Sequence, residues 1–551
     1  MTDVSAALAP SGYADGFARA NLPPPDAWPE FLFDLPELQY PPRLNCVAEL
    51  FGAARLRGWD ERTALAGARE RLSYAELRAR VDRIAHVLRA DLKLATGSRV
   101  LLRGANCPMM AACILGVIKA GCIAVPTMPL LRARELGTIA ARARVGAILC
   151  AAGLRAEVDA MMAAAPPDDC LPLLLFDAAQ AADSLEARMA AHDAPFAAPD
   201  TAADDVCLIS FTSGTTGVPK GTMHFHRDLL AICDCFPRHT LRARMDDVFI
   251  GTPPLAFTFG LGGLLLFPLR VGASAVLIEK LAPDSLLAAI REHRATVCFT
   301  APTFYRQMAQ LAARMEAGSL RSLSRSVSAG EALPVATREA WKAATGLDMI
   351  DGIGATEMLH IFISAAGSEV RPGATGKPVP GYVACVLDED GQPLGPGVIG
   401  RLAVKGPTGC RYLDDPRQRN YVQGGWNITG DAYEMDADGY FYYRSRLDDM
   451  IISAGYNIAG AEVEEVLLHH PAVAECGVVG RPDEERGQVV EAHVVLKPGH
   501  APSSELAAAL QDFVKAQIAP YKYPRVLRFR EQLPRTETGK LQRFKLRMDA
   551  V

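Results

Sequence analysis

The chain has 551 residues, which is too long for one ordinary hydrophobic core, so we expect two or more domains. Half of the residues are apolar, 22% are charged and the net charge is −5, which describes a folded protein and gives no electrostatic reason to expect a nucleic acid or an anionic membrane as a partner. The 13 cysteines include no C-x-x-C pair, so we expect reduced thiols and a cytoplasmic location.

The chain is predicted to have neither a signal peptide nor a membrane span. Its first residues lack a basic start followed by an apolar run. The most apolar stretch, residues 109–126, carries Lys119 in its middle and ends in a proline. A buried helix followed by a strand explains this stretch better than a membrane span, which needs about 20 apolar residues.

Helix and strand patterns alternate from about Tyr74 to Leu154, and the same alternation returns at 205–350. In the first stretch the predicted helices are 74–92, 109–121 and 132–143, and the predicted strands are 98–104, 122–127 and 145–151. Strands separated by helices of this length indicate βαβ units and a mainly parallel sheet. We therefore predict an α/β fold with two α/β layers of similar composition.

The pattern changes after Gly376. Residues 383–407 and 431–446 alternate as short strands broken by Asp-Gly turns, which is typical of β-hairpins. An α+β pattern then follows, over a stretch of about a hundred residues that is long enough to fold by itself. We place the domain boundary here, with an N-terminal domain at 1–447 and a C-terminal domain at 448–551.

A glycine-rich loop follows the predicted strand at 206–211. The stretch TSGTTGVPKG, residues 212–221, holds three glycines, four hydroxyl residues and Lys220. Glycines let backbone N–H groups point at one anion, and hydroxyl groups add donors without adding charge. The spacing does not fit the Walker A loop, and GIGATE at 352–357 does not fit the dinucleotide-binding fingerprint. The stretch can still be a phosphate-binding loop of another type. Without further motifs, the same cluster of glycine and hydroxyl residues would indicate only a flexible surface loop.

Five motifs occur in one order along the chain: TSGTTGVPKG, GIGATE, TGD at 429–431, YRSRLDD at 443–449 and PRTETGK at 534–540. Over about residues 45–545, this series resembles the adenylate-forming superfamily of acyl-CoA synthetases, peptide-synthetase adenylation domains and beetle luciferases. The resemblance implies a large N-terminal AMP-binding domain, made of two α/β subdomains plus a small β-barrel, and a small mobile α+β C-terminal lid domain. It also implies two half-reactions, with ATP, Mg²⁺ and coenzyme A as cofactors: a carboxylate forms an acyl-adenylate, and a thiol then expels AMP.

The resemblance assigns the phosphate contacts to numbered residues. The β- and γ-phosphates would be held by Thr212, Ser213, Gly214, Thr215, Thr216 and Lys220. Thr356 would contact the α-phosphate. Glu357 would bind Mg²⁺, which prefers hard oxygen ligands and often uses only one or two carboxylates.

The adenine and ribose contacts follow in the same way. Gly330 and Glu331 would pass close to the adenine ring. Asp431 would accept hydrogen bonds from both ribose hydroxyls, and Arg446 would join it there.

The C-terminal motifs carry the remaining implied roles. Lys540 would bridge the substrate carboxylate and the α-phosphate, where negative charge is crowded during attack. Asp448 would be the hinge about which the C-terminal domain turns, and Gly455 would line the passage for the CoA thiol. Many relatives carry a lysine three residues before that glycine, where this chain has Ile452. Without the other motifs, these residues would be read as a solvated tail lysine and ordinary turn residues.

Two stretches, 253–263 and 352–362, are expected to form walls of the acyl pocket. The pocket residues predicted are Phe257, Thr258, Phe259, Ala329, Gly354, His360 and Ile361. Aromatic walls favour an aryl carboxylate over a long chain. His360 is a candidate contact for a ring substituent, although a structural role is the commoner one for a histidine. Both stretches are similar to benzoate and 2-aminobenzoate CoA ligases, and Thr258, Phe259 and Ile452 favour 2-aminobenzoate.

The predicted function is therefore an ATP-dependent aryl acid:CoA ligase whose partners are a small carboxylic acid, ATP and CoA. Three alternatives stay open: a medium-chain acyl-CoA synthetase, an adenylation enzyme that loads a carrier protein, and a non-catalytic nucleotide-binding paralogue. Whether the chain forms a homodimer also stays open. His224 and His226 have no Cys, Asp or third His at ligand spacing, so we predict loop residues there and not a zinc site.

Overall fold

The structure is a computed structural model of the chain. It describes residues 8–164, 171–178, 181, 183–212, 219–316, 318–453, 456–483, 486–518, 520–535 and 541–548. The strands are β1 Thr63–Ala66, β2 Arg71–Ser73, β3 Arg99–Arg103, β4 Ile123–Thr127, β5 Val145–Ala151, β6 Leu173–Phe176, β7 Val206–Thr212, β8 Lys220–Phe225, β9 Val248–Gly251, β10 Ser274–Val276, β11 Val297–Thr300, β12 Arg325–Ala329, β13 Met349–Gly354, β14 Ile361–Ser364, β15 Lys377–Pro378, β16 Val383–Leu387, β17 Ile399–Lys405, β18 Val422–Gln423, β19 Trp426–Met435, β20 Phe441–Arg446, β21 Ile451–Ser453, β22 Tyr456–Ile458, β23 Val473–Asp483, β24 Gly487–Leu496 and β25 Val526–Phe529.

The α-helices are α1 Phe17–Ala20, α2 Cys46–Leu56, α3 Tyr74–His86, α4 Pro108–Lys119, α5 Ala133–Ala143, α6 Arg155–Ala163, α7 Leu185–Met189, α8 His226–Asp234, α9 Phe236–His239, α10 Thr258–Leu261, α11 Phe267–Val271, α12 Pro283–Glu292, α13 Pro302–Ala312, α14 Val335–Thr345, α15 Gln418–Tyr421, α16 Gly460–His469, α17 Ser504–Gln517 and α18 Arg543–Met548. Helix α3 shows how local sequence sets a boundary. Ser73 and Glu76 form a capping box there, in which each side chain accepts the other residue's backbone N–H, at 3.2 and 2.7 Å.

The first sheet has the strand order β6-β5-β3-β4-β7-β8. Its strands are parallel except for β8, which runs antiparallel to β7. Every residue of β3 and of β4 is buried, as expected for parallel strands that are covered on both faces. The strand pair β7–β8 brings Thr212 opposite Lys220, so both ends of the predicted phosphate loop lie at one edge of this sheet.

The second sheet has the order β15-β14-β13-β12-β11-β9-β10-β1-β2. Strands β1 and β9 to β13 are parallel, and β2, β14 and β15 are added antiparallel. The register places Ala329, at the end of β12, beside Gly352 in β13. In parallel sheets, ligands bind beyond the carboxyl ends of the strands, and these two residues lie in the carboxyl-terminal halves of their strands.

The predicted alternation is confirmed, but the two layers do not follow chain order. The strand at 206–211 was expected in the second layer, and it instead joins the first sheet beside β4, with Ala124 opposite Leu208. Conversely, β1 precedes the first sheet in the chain and pairs with β10 of the second. Helical periodicity identifies the elements, whereas sheet membership depends on long-range strand pairing that local patterns do not encode.

Two further sheets follow. Strands β16 to β20 form an antiparallel sheet in which β16–β17 and β19–β20 pair as the predicted hairpins. Strands β21 to β24 are antiparallel, β25 joins parallel to β24, and α16 and α17 pack with this sheet. The expected mixed α/β fold, with a small α+β region at the C-terminal end, is therefore found.

The apolar stretch at 109–126 is the predicted buried helix followed by a strand. All residues of α4 are buried, and Lys119 at its end forms a buried ion pair with Asp82 of α3. Pairing with an opposite charge is the usual way in which a buried lysine is tolerated. In the part of the chain that the structure describes, no helix is long and apolar enough to cross a membrane.

Candidate active site

Three side chains from distant parts of the chain meet between the first and second sheets. Lys220 Nζ donates to the hydroxyl oxygen of Tyr412 at 2.7 Å, and that hydroxyl donates to Oε1 of Glu357. Lys220 Nζ also lies 3.4 Å from Glu357 Oε1. The arrangement is a cation, a neutral hydroxyl and an anion in series, with the hydrogen-bond donors all oriented towards the carboxylate.

The backbone explains why these residues converge. Lys220 begins β8, while Glu357 lies in the loop between β13 and β14. The segment carrying Tyr412 is held against β8 by a Thr222–Tyr412 bridge and by a Met223 N to Arg411 O hydrogen bond of 2.7 Å. The loop from β13 turns tightly at Gly354, where a Cβ atom would come within 2.8 Å of the His360 carbonyl oxygen. Glycine is therefore needed for the close approach.

The electrostatic surroundings keep the Tyr412 hydroxyl protonated. Burial, followed by the nearby Glu357 carboxylate, raises the pKa of Tyr412 far above its ordinary value. The same two causes raise the pKa of Tyr421, whose ring meets that of Tyr412 edge to face at 6.0 Å. The Asp431 charge also contributes at Tyr421, so Tyr421 lies within electrostatic reach of both Glu357 and Asp431. Tyr412 and Tyr421 were not predicted from the sequence.

Asp431 and Arg446 lie opposite each other on β19 and β20. Arg446 Nη1 donates to Asp431 Oδ1 at 3.0 Å and to the Thr429 carbonyl oxygen at 3.2 Å. Gly430 has φ of +79°, and a Cβ atom there would come within 2.9 Å of the Arg446 guanidinium. The glycine of the TGD motif is thus required by both its backbone conformation and the packing of the arginine. The pair was predicted together and is found together.

The segment predicted to pass the adenine follows β12. Ala329 is the last residue of that strand, and Gly330 follows with φ of +91°. The Glu331 carboxylate accepts a hydrogen bond of 2.7 Å from the Thr303 hydroxyl at the start of α13. Because Ala329 pairs with Gly352, this segment lies beside the strand that leads to Thr356 and Glu357.

The predicted acyl-pocket wall centres on a buried histidine. Phe257 caps α10, and Thr258 and Phe259 lie in its first turn. His360 is 2% exposed, and it packs edge to face against Phe267 at 4.4 Å and in a tilted arrangement against Phe259 at 5.7 Å. Burial lowers the pKa of His360 to about 3, so the ring is neutral at physiological pH.

The polar atoms of His360 are only partly satisfied. Its Nε2 lies 3.4 Å from the Phe259 carbonyl oxygen, to which only a protonated nitrogen can donate. Its buried Nδ1 has no hydrogen-bond partner among the described residues. Ile361, the next residue, begins β14 and is buried.

Several predicted residues lie outside the described residues. They are Ser213, Gly214, Thr215, Thr216, Gly455 and Lys540. The backbone of Asp448 lies in a short turn at Leu447–Asp449, and Ile452 lies in β21.

The prediction that His224 and His226 are loop residues is wrong. His224 lies within β8 and His226 begins α8, and both are buried. Burial, together with the nearby Arg411 charge, lowers the pKa of His224 to about 3. Long-range packing also places two cysteines, Cys46 and Cys207, beside His226, which spacing along the chain could not reveal.

Glu357 meets the chemical requirement for the predicted Mg²⁺ ligand. It is only 7% exposed, and both of its hydrogen bonds from Lys220 and Tyr412 fall on Oε1. Among the described residues, Oε2 therefore keeps its lone pairs for a hard cation.

Comparisons with known proteins identify the family of this chain. The AMP-binding enzyme family matches residues 53–411, and the AMP-binding enzyme C-terminal domain matches residues 462–540. A benzoate–CoA ligase of Thauera aromatica is 37% identical over 519 residues, covering 93% of this chain and 97% of that protein. The crystal structure of the anthranilate CoA ligase AuaEII with anthranoyl-AMP superposes with a TM-score of 0.86 at 33% identity, covering 94% of this chain and 99% of that one.

A second solved structure gives a similar result. A benzoate CoA ligase from Burkholderia xenovorans LB400 superposes with a TM-score of 0.83 at 34% identity, over 92% of this chain and all of that one. The family matches cover most of the large N-terminal part, including Lys220 and Glu357, and most of the C-terminal part, whereas Tyr412 lies one residue beyond the first match. The chain therefore belongs to the AMP-binding enzyme family.

Proposed function

We propose that the chain is an ATP-dependent aryl acid:CoA ligase that acts on a benzoate bearing a ring hydrogen-bond donor, with 2-aminobenzoate as the first choice. The reaction joins the acid to ATP, forming an acyl-adenylate and releasing pyrophosphate. A CoA thiol then forms the thioester and releases AMP. Relatives named as benzoate–CoA, 3-hydroxybenzoate–CoA and anthranilate CoA ligases support the aryl class.

The nucleotide roles are assigned to the residues around the Lys220–Tyr412–Glu357 series. Lys220 and the glycine-rich loop would bind the terminal phosphates, and Asp431 with Arg446 would bind the ribose. Mg²⁺, when bound at Glu357, neutralises phosphate charge. Tyr412 holds the Lys220 ammonium and the Glu357 carboxylate at fixed positions, so that little reorganisation is needed when ATP binds.

The observation that carries the substrate proposal is the unsatisfied Nδ1 of His360. With Nε2 donating to the Phe259 carbonyl, the neutral ring presents Nδ1 only as an acceptor. A buried acceptor without a partner costs about 1–3 kcal/mol. Benzoate has no donor to offer, whereas an amino group on the ring does, so we expect 2-aminobenzoate to satisfy this atom.

The experiment is a panel of acids assayed for CoA-dependent AMP release: benzoate, the three aminobenzoates, 2-hydroxybenzoate and octanoate. The cost of the unpaired acceptor predicts that kcat/KM for 2-aminobenzoate exceeds that for benzoate by about 5- to 150-fold. In His360→Phe this preference should shrink while benzoate turnover persists. The proposed substrate is wrong if benzoate is preferred, and the aryl class is wrong if octanoate is.

The domain division is part of the same proposal. Residues 1–447 would hold ATP and the acid, and residues 448–551 would bring Lys540 to the adenylate-forming reaction and then withdraw it. Asp448 would be the hinge, and Gly455 would face the CoA thiol. Separate assays of the two half-reactions test this division, because Lys540 is assigned to the first one and Gly455 to the second.

A further inference from the structure

Among the described residues, one group of side chains has the composition of a metal site, and it lies outside the proposed active site. The Sγ atoms of Cys46 and Cys207 and a ring nitrogen of His226 all lie within 4.8 Å of one another, and all three residues are essentially unexposed to solvent. Two thiols and an imidazole are the ligand types that thiophilic ions such as Zn²⁺ prefer.

The hydrogen bonds around His226 orient its ring for ligation. The Tyr13 hydroxyl donates to the Val206 carbonyl oxygen at 2.9 Å, so its single proton is used there. It can then only accept from His226 Nε2, which lies 3.2 Å away, and Nε2 must carry the ring proton. The Nδ1 lone pair therefore faces the thiols. A second hydrogen bond that fixes the tautomer in this way is a common feature of histidine metal ligands.

The distances are close to those of a zinc site. Zn–S and Zn–N bonds of about 2.3 and 2.0 Å place tetrahedral ligand atoms about 3.5–3.8 Å apart. His226 Nδ1 and Cys46 Sγ are already 3.3 Å apart. The only other described contact of Nδ1 is a long hydrogen bond of 3.3 Å from the Cys46 backbone N–H, which a metal ion would displace at little cost.

Charge is compatible with a divalent ion. On binding, both thiol protons are released, and the two thiolates then carry a charge of −2 in a site without solvent exposure. A Zn²⁺ ion makes the group neutral. The ordinary alternative is that the cysteines pack as small apolar side chains and that Nδ1 only accepts hydrogen bonds from Cys46, and the metal content of the purified chain separates the two readings.

We propose that Cys46, Cys207 and His226 bind one Zn²⁺ ion, with the fourth position taken by water. The ion would join α2, β7 and α8. Strand β7 leads into the predicted phosphate loop and α8 follows β8, so the ion would fix the strand pair that carries both ends of that loop. Because the ligands are enclosed, the metal enters during folding or local opening, and binding then stabilises the folded chain.

The test is to express the full chain in medium with added Zn²⁺, remove surface-bound metal with a chelator, and measure the metal content. We expect about one zinc per chain, and for chain produced with Co²⁺ a thiolate-to-cobalt charge-transfer band in the near ultraviolet. The double variant C46A/C207A should lose both signals. The control C233A/C298A removes two buried cysteines that have no place in the group and should keep both.

Measurements on the unmodified chain decide the proposal even if C46A/C207A fails to fold. A chain that retains no zinc and shows no thiolate band overturns it, and so does zinc retained equally by C46A/C207A. A metal-free chain with a Cys46–Cys207 disulfide would overturn it as well, in favour of a redox pair. Zinc should also raise the Tm of the unmodified chain and of C233A/C298A.

Discussion

The hydroxyl of Tyr412 is the part of the proposed site whose contribution is most directly measurable. Tyr412→Phe removes one oxygen atom and keeps the ring. Lys220 then loses the 2.7 Å hydrogen bond that it donates to the hydroxyl, and Glu357 loses the hydrogen bond that it accepts from the hydroxyl. Only the direct 3.4 Å contact between the two charges is left. The ring that Lys220 Nζ approaches at 4.7 Å from its centre remains.

The size of the effect follows from the charges involved. A hydrogen bond to a charged group contributes about 1.5–3 kcal/mol, and each 1.36 kcal/mol is tenfold in rate. We therefore expect kcat/KM for adenylate formation to fall by about 10- to 150-fold. The loss should include a higher KM for Mg·ATP, because Tyr412 positions groups that are proposed to bind phosphate and Mg²⁺.

The assay is ATP–pyrophosphate exchange dependent on the aryl acid, with Mg²⁺ varied. Tyr421→Phe is the matched control, because Tyr421 is a partly buried neighbour in the same aromatic pair and its buried hydroxyl has no hydrogen-bond partner among the described residues. It should keep activity within about threefold and be no less stable. Equal losses in both variants, or an unchanged Tyr412→Phe enzyme, would refute the series of Lys220, Tyr412 and Glu357 as a functional unit.

Two further predictions concern the half-reactions and the pH dependence of stability. Lys540→Ala should abolish pyrophosphate exchange and keep much of the CoA transfer from supplied acyl-adenylate. Gly455→Leu should keep pyrophosphate exchange and block formation of the CoA thioester. Equal loss of both steps in Lys540→Ala would contradict the assignment. Burial raises the pKa of Asp351 to about 7, so the free energy of unfolding should fall as pH rises from about 4 to about 7. Asp351→Asn should therefore raise Tm more at pH 8 than at pH 5, and a gain independent of pH would mean that this carboxyl does not titrate as stated.

The sequence predicted the elements better than their assembly. Helix α4 and strand β4 were expected from an apolar stretch interrupted by Lys119. The structure shows that Lys119 forms an ion pair with the buried Asp82, which offsets the cost of burying the lysine charge. Local patterns contain the periodicity of one element. They do not contain the pairing of β7 with β4, because that pairing joins strands that lie about eighty residues apart.

The candidate site divides in the same way. Asp431 and Arg446 stand on adjacent strands of one hairpin, so their pairing follows from a short-range pattern. Tyr412 lies 55 residues from Glu357 and 192 from Lys220, and its sequence surroundings have no motif that distinguishes it from a core tyrosine. The cluster of Cys46, Cys207 and His226 was missed for the same physical reason, since ligands brought together by tertiary folding leave no spacing signal.

An ion pair between the C-terminal region and the larger part of the chain is relevant to the proposal that Lys540 acts in the first half-reaction and is then withdrawn. The Glu475 carboxylate of β23 pairs with Arg306 of α13 at 3.2 Å and with Arg535, which follows β25, at 2.7 Å. These side chains are 29–31% exposed, and ion pairs of this kind contribute only about 0–1 kcal/mol because solvent screens them. Arg535 is five residues from Lys540 in the sequence, so the Glu475 carboxylate contacts a residue close to the proposed catalytic lysine. A strong apolar contact at this place would fix one arrangement of the C-terminal region. If the two half-reactions alternate as proposed, a carboxylate held weakly between two arginines would let the C-terminal region move at a small energetic cost.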